Sequence, residues 1–282
     1  MKNIKRIICL LCCLSAVAFT FTACSSKTES KLEYEIINNE VIITKYSDST
    51  QRTEITVPDE IEGLPVTEIA NFSLFNCESL KKIYIGKNVS KIGEWSMTNN
   101  QSLSEFVVDD ENEYFCSVDG VLYSKDMKTI IYYPPARNIK FDKYGQAQNT
   151  TQYEIADGVE TIRTKAFYKC YYVDSVTIPD SVKSIEEKAF HRSSSLTEIN
   201  LPASLEFIGK DAFAYCDKLE KVTIPKSVKE IDEYAFFNCS NMKELIMMPR
   251  EENMILQDNW YPTSNGKQIK ECEIIWKSNY QF

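Results

Sequence analysis

The side chains best suited to chemistry in this 282-residue chain are ten cysteines and a single histidine, His191. One imidazole cannot supply a His-pair zinc motif, and as a catalytic base it would need an orienting carboxylate and a nucleophile beside it. Serines at 193–195 follow His191 closely, but serines are ordinary turn residues. We therefore predict a surface histidine and no catalytic site.

Four of the cysteines recur at one position of a repeat, because each lies eight residues after an isoleucine. They are Cys77, Cys170, Cys216 and Cys239, which follow Ile69, Ile162, Ile208 and Ile231. A recurring position indicates a recurring packing role, so small buried thiols are expected. A disulfide between Cys216 and Cys239 is the alternative, because adjacent coils would bring them close. No C-x-x-C follows Cys24, so the sequence predicts no metal site.

Composition narrows the function classes further. Lys and Arg number 32 against 41 Asp and Glu, a net charge of −9, and an acidic surface repels nucleic-acid phosphates. The eight glycines form neither a dinucleotide fingerprint nor a phosphate loop, so no cofactor is predicted. Acidic residues at 109–111 could offer oxygen ligands to calcium, but they lack the spacing of an EF-hand and are interpreted as a solvated turn.

The N-terminus has the organisation of an export signal. Three basic residues within the first six precede an uncharged stretch over 7–23, as in the charged and apolar regions of such signals. The stretch ends Phe21-Thr22-Ala23-Cys24, which resembles a bacterial lipobox with Phe21 in place of the usual Leu. The resemblance implies cleavage before Cys24 and lipidation of that residue, which would hold the protein on a membrane. A secretory signal that releases the protein is the alternative.

Self-comparison reveals a 23-residue repeat. Consecutive units begin at Val173, Leu196, Leu219 and Met242, related units lie upstream from Leu80, and an imperfect copy spans 57–77. The unit from Leu219 reads LEKVTIPKSVKEIDEYAFFNCSN. A fixed period of this length indicates a solenoid, in which stacked coils bury a continuous core that no single coil could bury.

Each unit predicts a strand followed by a turn and one helical turn. Alternation sends Val222 and Ile224 to one face and Thr223 to the other. Pro225 then ends the strand, because it has no backbone amide to donate. The segment DEYAF at 232–236 has the composition of a helical turn whose phenylalanine fills the interior. The sequence thus predicts an α/β solenoid of 23-residue coils with short parallel strands.

The pattern I-P-x-S-V-x-x-I-x-x-x-A-F-x-x-C after L-x-x-V-T resembles the BspA-like family of leucine-rich-repeat bacterial surface proteins. The resemblance covers about residues 32–250. It implies a leucine-rich-repeat fold at the cell surface and adhesion to host or community macromolecules, without a catalytic site.

Segments outside the repeat set the remaining boundaries. The predicted order is a signal peptide at 1–23, a linker at 24–31, an N-terminal cap hairpin at 32–51, the solenoid at 52–248 and a C-terminal cap at 249–282. Within the solenoid, an insertion at 109–149 contains two apolar runs around a polar turn at 125–128, which predicts a second hairpin. The polar stretch 142–151 is expected to be a surface loop.

The outward side of the predicted strands, here called the sheet face, is the extended surface with most binding potential, because its side chains repeat on rigid backbone. The candidate ligand-binding residues on it are Tyr84, Asp174, Thr177, Thr197, Asn200, Glu220 and Thr223. The alternative binding site is the insertion, where Tyr123, Tyr132 and Tyr133 offer aromatic anchors of the type enriched in interface hot spots.

These observations predict a non-catalytic, extracytoplasmic protein, monomeric and anchored through lipid on Cys24, that binds or adheres to a protein or glycan. A structural accessory scaffold of an envelope complex is the second hypothesis. A hydrolase of envelope or glycan polymers is the weakest, because glycan cleavage requires two carboxylates across a cleft and a continuous solenoid supplies no obvious cleft.

Overall fold

The computed structural model describes residues 19–21, 31–47, 52–248, 254–265, 267–269 and 272–277. Over these residues the chain winds into a β-solenoid of about nine turns, with coils of about 23 residues. None of the residues in these ranges forms a helix, and so none forms a helix long enough to cross a membrane.

The strands are short, and most belong to one of two ladders. The first half contains β1 (Phe19–Phe21), β2 (Lys31–Ile37), β3 (Glu40–Ser47), β4 (Glu54–Val57), β5 (Glu60–Ile61), β6 (Leu64–Ile69), β7 (Lys82–Ile85), β8 (Lys91–Ile92), β9 (Glu105–Val108), β10 (Phe115–Val118), β11 (Val121–Ser124) and β12 (Thr129–Tyr132). The second half contains β13 (Thr151–Glu154), β14 (Thr161–Ile162), β15 (Val173–Thr177), β16 (Ser184–Ile185), β17 (Glu198–Asn200), β18 (Phe207–Ile208), β19 (Lys221–Ile224), β20 (Glu230–Ile231), β21 (Glu244–Met247), β22 (Ile255–Leu256), β23 (Thr263–Ser264), β24 (Lys267–Gln268) and β25 (Glu273–Trp276).

The sheet face is built from one parallel strand per coil. Its strands are bonded in three groups, β4-β7-β9, β13-β15-β17 and β19-β21-β25. The predicted alternation is confirmed in the repeat from Leu219, where Val222 and Ile224 are buried and Thr223 is exposed. Because successive side chains of a strand point to opposite faces, the side chains that are not buried lie on the sheet face.

A second ladder of two-residue strands runs along another side of the coils. Its central strands pair in register, so that Ile162, Ile185, Ile208 and Ile231 form one column. All four are fully buried. The isoleucine that recurs in each unit therefore fills the same place in the core of successive coils.

The predicted helical turn is wrong. The segment before each core phenylalanine is a series of tight turns containing one left-handed residue, and these residues are Lys165, Lys188, Asp211 and Tyr234, at φ of 64°, 57°, 55° and 58°. A left-handed residue cannot continue a right-handed helix. Alternate backbone amides bond to the next coil instead, as from Phe167 to the carbonyl of Ala189 at 2.7 Å. We call this third bonded side of the solenoid the turn face.

A column of phenylalanines stacks inside the turn face. It consists of Phe167, Phe190, Phe213 and Phe236, whose successive ring centroids are 4.8, 5.2 and 5.3 Å apart. This spacing is close to the ~4.8 Å between paired strands, so each ring lies flat on its counterpart in the next coil. All four rings are fully buried.

The N-terminal hairpin consists of β2 and β3, which pair antiparallel around Asn38 and Asn39. Both asparagines have positive φ, 54° and 64°, as the two central residues of a type I′ turn require. β3 also pairs in parallel with β6, which pairs with β8. The hairpin thus joins a sheet of the first coils that is separate from the ladder running from β12 to β22. β1, inside the predicted signal peptide, pairs with β2. The role of the hairpin as a cap stays a prediction.

The insertion also forms a hairpin, between β11 and β12 around the polar turn at 125–128. β10 adds a third antiparallel strand, and β12 pairs in parallel with β14. The insertion therefore ends inside the second ladder. The core divides at this point into two clusters, one containing Tyr132 and the other Tyr133.

The predicted C-terminal cap continues both ladders. β22 pairs with β20, and β25 pairs with β21. The turn face continues as well, since the Phe236 amide donates to the carbonyl of Trp260 at 3.3 Å. The described part of 249–282 is thus organised as a further coil, and its capping role stays a prediction.

Candidate functional site

The central sheet face places its predicted residues in register. β15 and β17 align Asp174 near Thr197, and Thr177 directly beside Asn200. Thr177, Thr197, Asn200, Glu220 and Thr223 are exposed, whereas Asp174 and Tyr84 are half-buried. Tyr84 lies in a different strand group, between Thr56 and Val107. Asp174, Thr177, Thr197 and Asn200 are therefore neighbours in one bonded group. Glu220 and Thr223 belong to the group of β19, and Tyr84 belongs to the group of β7.

Charged side chains on the sheet face pair with each other from coil to coil. Lys243 lies 2.7 Å from Glu220, and Lys221 lies 2.6 Å from Glu244. Asp174 accepts a hydrogen bond from the hydroxyl of Thr150 at 2.8 Å. Exposed ion pairs of this kind contribute little stability.

The sheet face is interrupted between β17 and β19. Among the described strands, no pairing joins these two, although each is bonded to its other neighbour. The second ladder is intact at the same coil boundary, where Phe207 aligns with Glu230. The two coils are therefore separated on one side only.

A cavity of about 550 Å³ occupies this interruption, and we call it the slot. It is lined by Thr197, Glu198, Ile199, Asn200, Leu201, Ala203, Glu220, Lys221, Thr223 and Pro225. Four of the seven predicted sheet-face residues are in this set. Leu201 is only partly buried, whereas Ile178 and Ile224, its counterparts in neighbouring coils, are buried. The slot thus exposes apolar surface between polar side chains.

The three tyrosines predicted as an alternative binding site are buried. Tyr123 is 1% exposed and Tyr133 is fully buried. Tyr133 stacks on Phe167 with centroids 5.0 Å apart, and Tyr132 packs edge-on against Phe106. The rings fill the core where the insertion enters the ladder, so the idea that they are surface anchors is wrong.

The recurring cysteine position has a hydrogen-bonding role. The Sγ atoms of Cys216 and Cys239 donate to the carbonyls of Phe190 and Phe213 at 3.2 and 3.1 Å. Ser193 makes the same bond one coil earlier, at 2.7 Å. Cys170, Cys216 and Cys239 are buried and carry no disulfide, as expected. Cys77 is only half-buried, so the prediction of burial is wrong for it.

Lipidation of Cys24 lies outside the described residues, and so do the linker residues 24–30. The lipobox prediction therefore rests on the sequence. Within the described ranges, no group of three or more His, Cys, Asp or Glu side chains is arranged to hold a metal ion. The acidic turn at 109–111 bonds instead to protein groups, including Lys87, whose ammonium lies 2.9 Å from Glu111.

His191 is buried in the turn face, so the prediction of a surface histidine is wrong. Its imidazole is 9% exposed and stacks on Tyr168 at 5.4 Å. Burial lowers the pKa of His191 to about 4, and the cations Arg192, Lys188 and Lys169 add to this effect. The imidazole is therefore neutral at physiological pH.

An aromatic stripe runs along the outside of the turn face. Successive ring contacts join Phe72, Trp95, Tyr168, His191, Tyr215 and Phe237, with centroid distances of 5.3 to 5.9 Å. Cations lie over several of these rings, including Lys165, whose ammonium is 3.9 Å from the Trp95 centroid. Burial lowers the pKa of Lys165, and Glu94 lies 3.5 Å from its ammonium.

The C-terminal end of this stripe opens into a cavity of about 650 Å³, which we call the turn-face pocket. It is lined by His191, Lys210, Asp211, Tyr215, Tyr234, Phe237, Asn259, Tyr261 and Thr263. Sequence reasoning missed this site because its lining residues come from three coils and from 249–282, where the period fades. The available signal was the ring that follows the core phenylalanine in three of four coils, as Tyr168, His191 and Phe237.

Comparison with known proteins places the chain in a family. The family model for the BspA type leucine rich repeat region matches residues 14–141 and 137–268, in six copies. No curated protein matches. Among solved structures, the pneumococcal vaccine antigen PcpA aligns with a TM-score of 0.59 at 21% identity, over 80% of this chain and 68% of that one.

A leucine rich cell surface protein from Faecalibacterium prausnitzii aligns with a TM-score of 0.52 at 17% identity, over 93% of this chain and 95% of that one. At these identities the two solved structures support the fold, and neither points to an enzyme. Because the family model spans most of its length, the chain belongs to the BspA-type leucine-rich-repeat family.

Proposed function

We propose that this protein is a non-catalytic binding protein of the bacterial cell surface, and that it holds an extended segment of a partner protein in the slot. The observation that carries the proposal is the interruption between β17 and β19. The facing edges of these strands are not bonded to each other, so amides and carbonyls along the slot can bond to a ligand backbone that lies against them. Thr197, Asn200 and Thr223 supply polar groups beside them.

The slot is supported on its two other sides. At the same coil boundary, Phe213 stacks on Phe236 in the core at 5.3 Å. On the turn face, the amide of Phe213 donates to the carbonyl of Ala235 at 2.8 Å. Backbone held in this way has little freedom to lose on binding, which lowers the entropic cost of association. A rigid scaffold with a local opening suits capture of a ligand.

Anchoring is the second part of the proposal. The lipobox-like Phe21-Thr22-Ala23-Cys24 supports a lipid on Cys24. The likeness to a leucine rich cell surface protein supports an extracytoplasmic location. Cleavage at this point would remove β1 from the mature protein, because β1 ends at Phe21.

A capture experiment tests the slot. The full chain, purified in detergent and immobilised, is incubated with host-matrix and envelope extracts, and bound proteins are identified. Changing Thr177, Asn200 and Thr223 together to Arg adds bulk and charge on the face while leaving inward positions intact. Capture should fall at least about tenfold, since an unpaired desolvated charge costs more than ~1.4 kcal/mol.

The matched control places three Arg residues in the surface loop, at Tyr144, Gln146 and Gln148, all of which are at least partly exposed. This variant adds the same charge far from the slot and should retain capture. Equal loss in both variants would show that charge alone is responsible. Protein capture that the triple-Arg variant retains in full, or chemical turnover of the bound partner, would contradict the proposal.

A further inference from the structure

The turn-face pocket has an unusual lining for a protein cavity. Aromatic and polar side chains surround it, and none of its lining residues is aliphatic. Typical ligand pockets are predominantly hydrophobic and aromatic with only a few polar groups, whereas five of the nine residues that line this one are polar or charged. A lining of ring faces and hydrogen-bonding groups fits a ligand that is itself apolar on its faces and polar around its rim.

The aromatic rings form walls at steep angles to one another. Tyr215 and Tyr234 both meet Phe237 edge-on, at centroid distances of 5.6 and 5.5 Å and interplanar angles of 73° and 85°. Arg192 lies over the ring of Tyr215 at 4.8 Å. The tyrosines are half-buried, so each is fixed by packing on one side and open on the other.

The charges of the pocket are neutralised within the protein. Lys210 lies 2.6 Å from Glu233, and Asp211 lies 3.2 Å from Lys188. One cation and one anion therefore line the pocket, each with its own partner. The lining residues therefore carry no net charge of their own, so they recognise a ligand through hydrogen bonds rather than ion pairs. The guanidinium of Arg192, over the ring of Tyr215, is a further charge beside the wall.

His191 contributes a directed hydrogen-bonding group. Its Nδ1 is buried and has no hydrogen-bond partner among the described residues. A neutral imidazole carries one proton, and a buried N–H without an acceptor is costly. We therefore assign the proton to Nε2, which makes this nitrogen the donor of His191, a residue that lines the pocket.

We propose that the turn-face pocket binds a neutral sugar ring of a glycan. A pyranose presents C–H groups on its faces, which stack on aromatic rings, and hydroxyls around its rim, which pair with amide, hydroxyl and imidazole groups. We assign the stacking face to Tyr261, because the ammonium of Lys210 lies over the ring of Tyr234 at 5.8 Å. His191, Asn259 and Lys210 provide the polar groups. This site is separate from the slot and does not depend on it.

The experiment uses saturation-transfer NMR on the full chain in detergent, with neutral hexose oligosaccharides as probes: cellohexaose, maltohexaose and mannohexaose. At least one probe should show transfer to its ring C–H protons. Replacing His191 by Phe keeps the stack with Tyr168 and removes the donor, so affinity should fall about tenfold, the effect of losing one hydrogen bond. Tyr261→Ala should weaken binding by a similar factor.

Two control variants test whether sugar binding is specific to the turn-face pocket. Tyr144→Ala removes a tyrosine that is 75% exposed in the surface loop, and it should leave sugar binding unchanged. The triple-Arg variant of the slot should also bind the probe normally. The two proposals can then be judged separately, because a variant of one site leaves the other site intact.

Three results would overturn the proposal. They are no transfer to any probe, binding that survives both His191→Phe and Tyr261→Ala in folded protein, and binding of a uronic-acid oligosaccharide in preference to all neutral probes. Thermal unfolding confirms that each variant is folded before binding is compared.

Discussion

The imidazole of His191 lies flat against the phenol ring of Tyr168, with centroids 5.4 Å apart and planes within 12° of parallel. Tyr215, from the following coil, meets its edge at 5.3 Å. The imidazole is thus held between rings of two neighbouring coils, and the charged groups that act on it are cations. Protonation of His191 would place a charge on a largely buried ring whose charged neighbours are all cations.

This arrangement predicts a pH-dependent loss of stability. His191 has a pKa of about 4 in the folded protein against its ordinary 6.5, so the unfolded chain takes up this proton first as the pH falls. Its stabilising contribution is complete above pH 6.5 and is lost between pH 6.5 and 4. The loss should be about 3 kcal/mol, at ~1.4 kcal/mol per unit of pKa.

The measurement is the free energy of unfolding as a function of pH, for the natural chain and for His191→Phe. Paired carboxylates lose stability in both proteins as they are protonated, so only the difference between the two curves reports His191. Curves that stay parallel from pH 7 to pH 4 would contradict the assignment.

Core packing gives the second prediction. Phe213→Ala removes one ring from the buried column and should lower the free energy of unfolding by about 3 to 5 kcal/mol, because burial is lost and a cavity remains. Thr223→Ala, on the exposed strand position, should change it by less than ~0.5 kcal/mol. Denaturant titration of both variants tests the distinction, and small effects in both would mean that the inward and outward assignments are wrong.

Anchoring gives the third prediction. Cys24→Ala should abolish incorporation of labelled fatty acid, because the lipid would be attached to this sulfur. Membrane fractionation of the variant should show no processed, acylated form. Ser25→Ala, one residue later, serves as the control and should be acylated normally. Acyl labelling of the Cys24 variant at the natural level would refute the lipobox interpretation.

Thiol reactivity gives the fourth prediction. Burial raises the pKa of Cys239 to about 12 and raises the pKa of Cys216 and Cys170 as well, so little thiolate exists at neutral pH. Iodoacetamide should alkylate these three slowly in the folded protein and quickly in denaturant. The half-buried Cys116 and Cys272 should react sooner. Mass spectrometry of the modified peptides identifies each site, and early modification of Cys216 would contradict its buried placement.

Much of the fold can be predicted because a repeat constrains every coil alike. The 23-residue period determines the strand alternation around Val222 and the isoleucine column, and it predicts burial of Phe213. The helical turn was wrong because composition does not report the sign of φ. Asp211 and Tyr234 adopt left-handed backbone without being glycine, and the bonds to the next coil that favour this conformation join residues about 22 apart in sequence.

The binding surfaces were harder to predict, for different reasons. The slot depends on a missing pairing between β17 and β19, although Asn200 and Thr223 follow the strand pattern as well as any residues in the array. The tyrosines of the insertion were misassigned because polar hydroxyls suggest exposure, whereas Tyr133 is needed to begin the column that Phe167 continues. The turn-face pocket combines His191 with Tyr261, which no repeat relates.

The interruption between β17 and β19 also has a mechanical consequence. Other neighbouring coils of the central repeat are bonded along three sides, but this boundary is bonded along two. A load that bends the molecule will therefore be taken up there first, with the second ladder acting as the pivot and the slot widening or narrowing in response. If one end of the molecule is tethered and a ligand pulls on the rest, we expect bending at this boundary, because it has fewer backbone hydrogen bonds than the boundaries beside it. Pulling force and ligand capture would then act on the same short stretch of backbone.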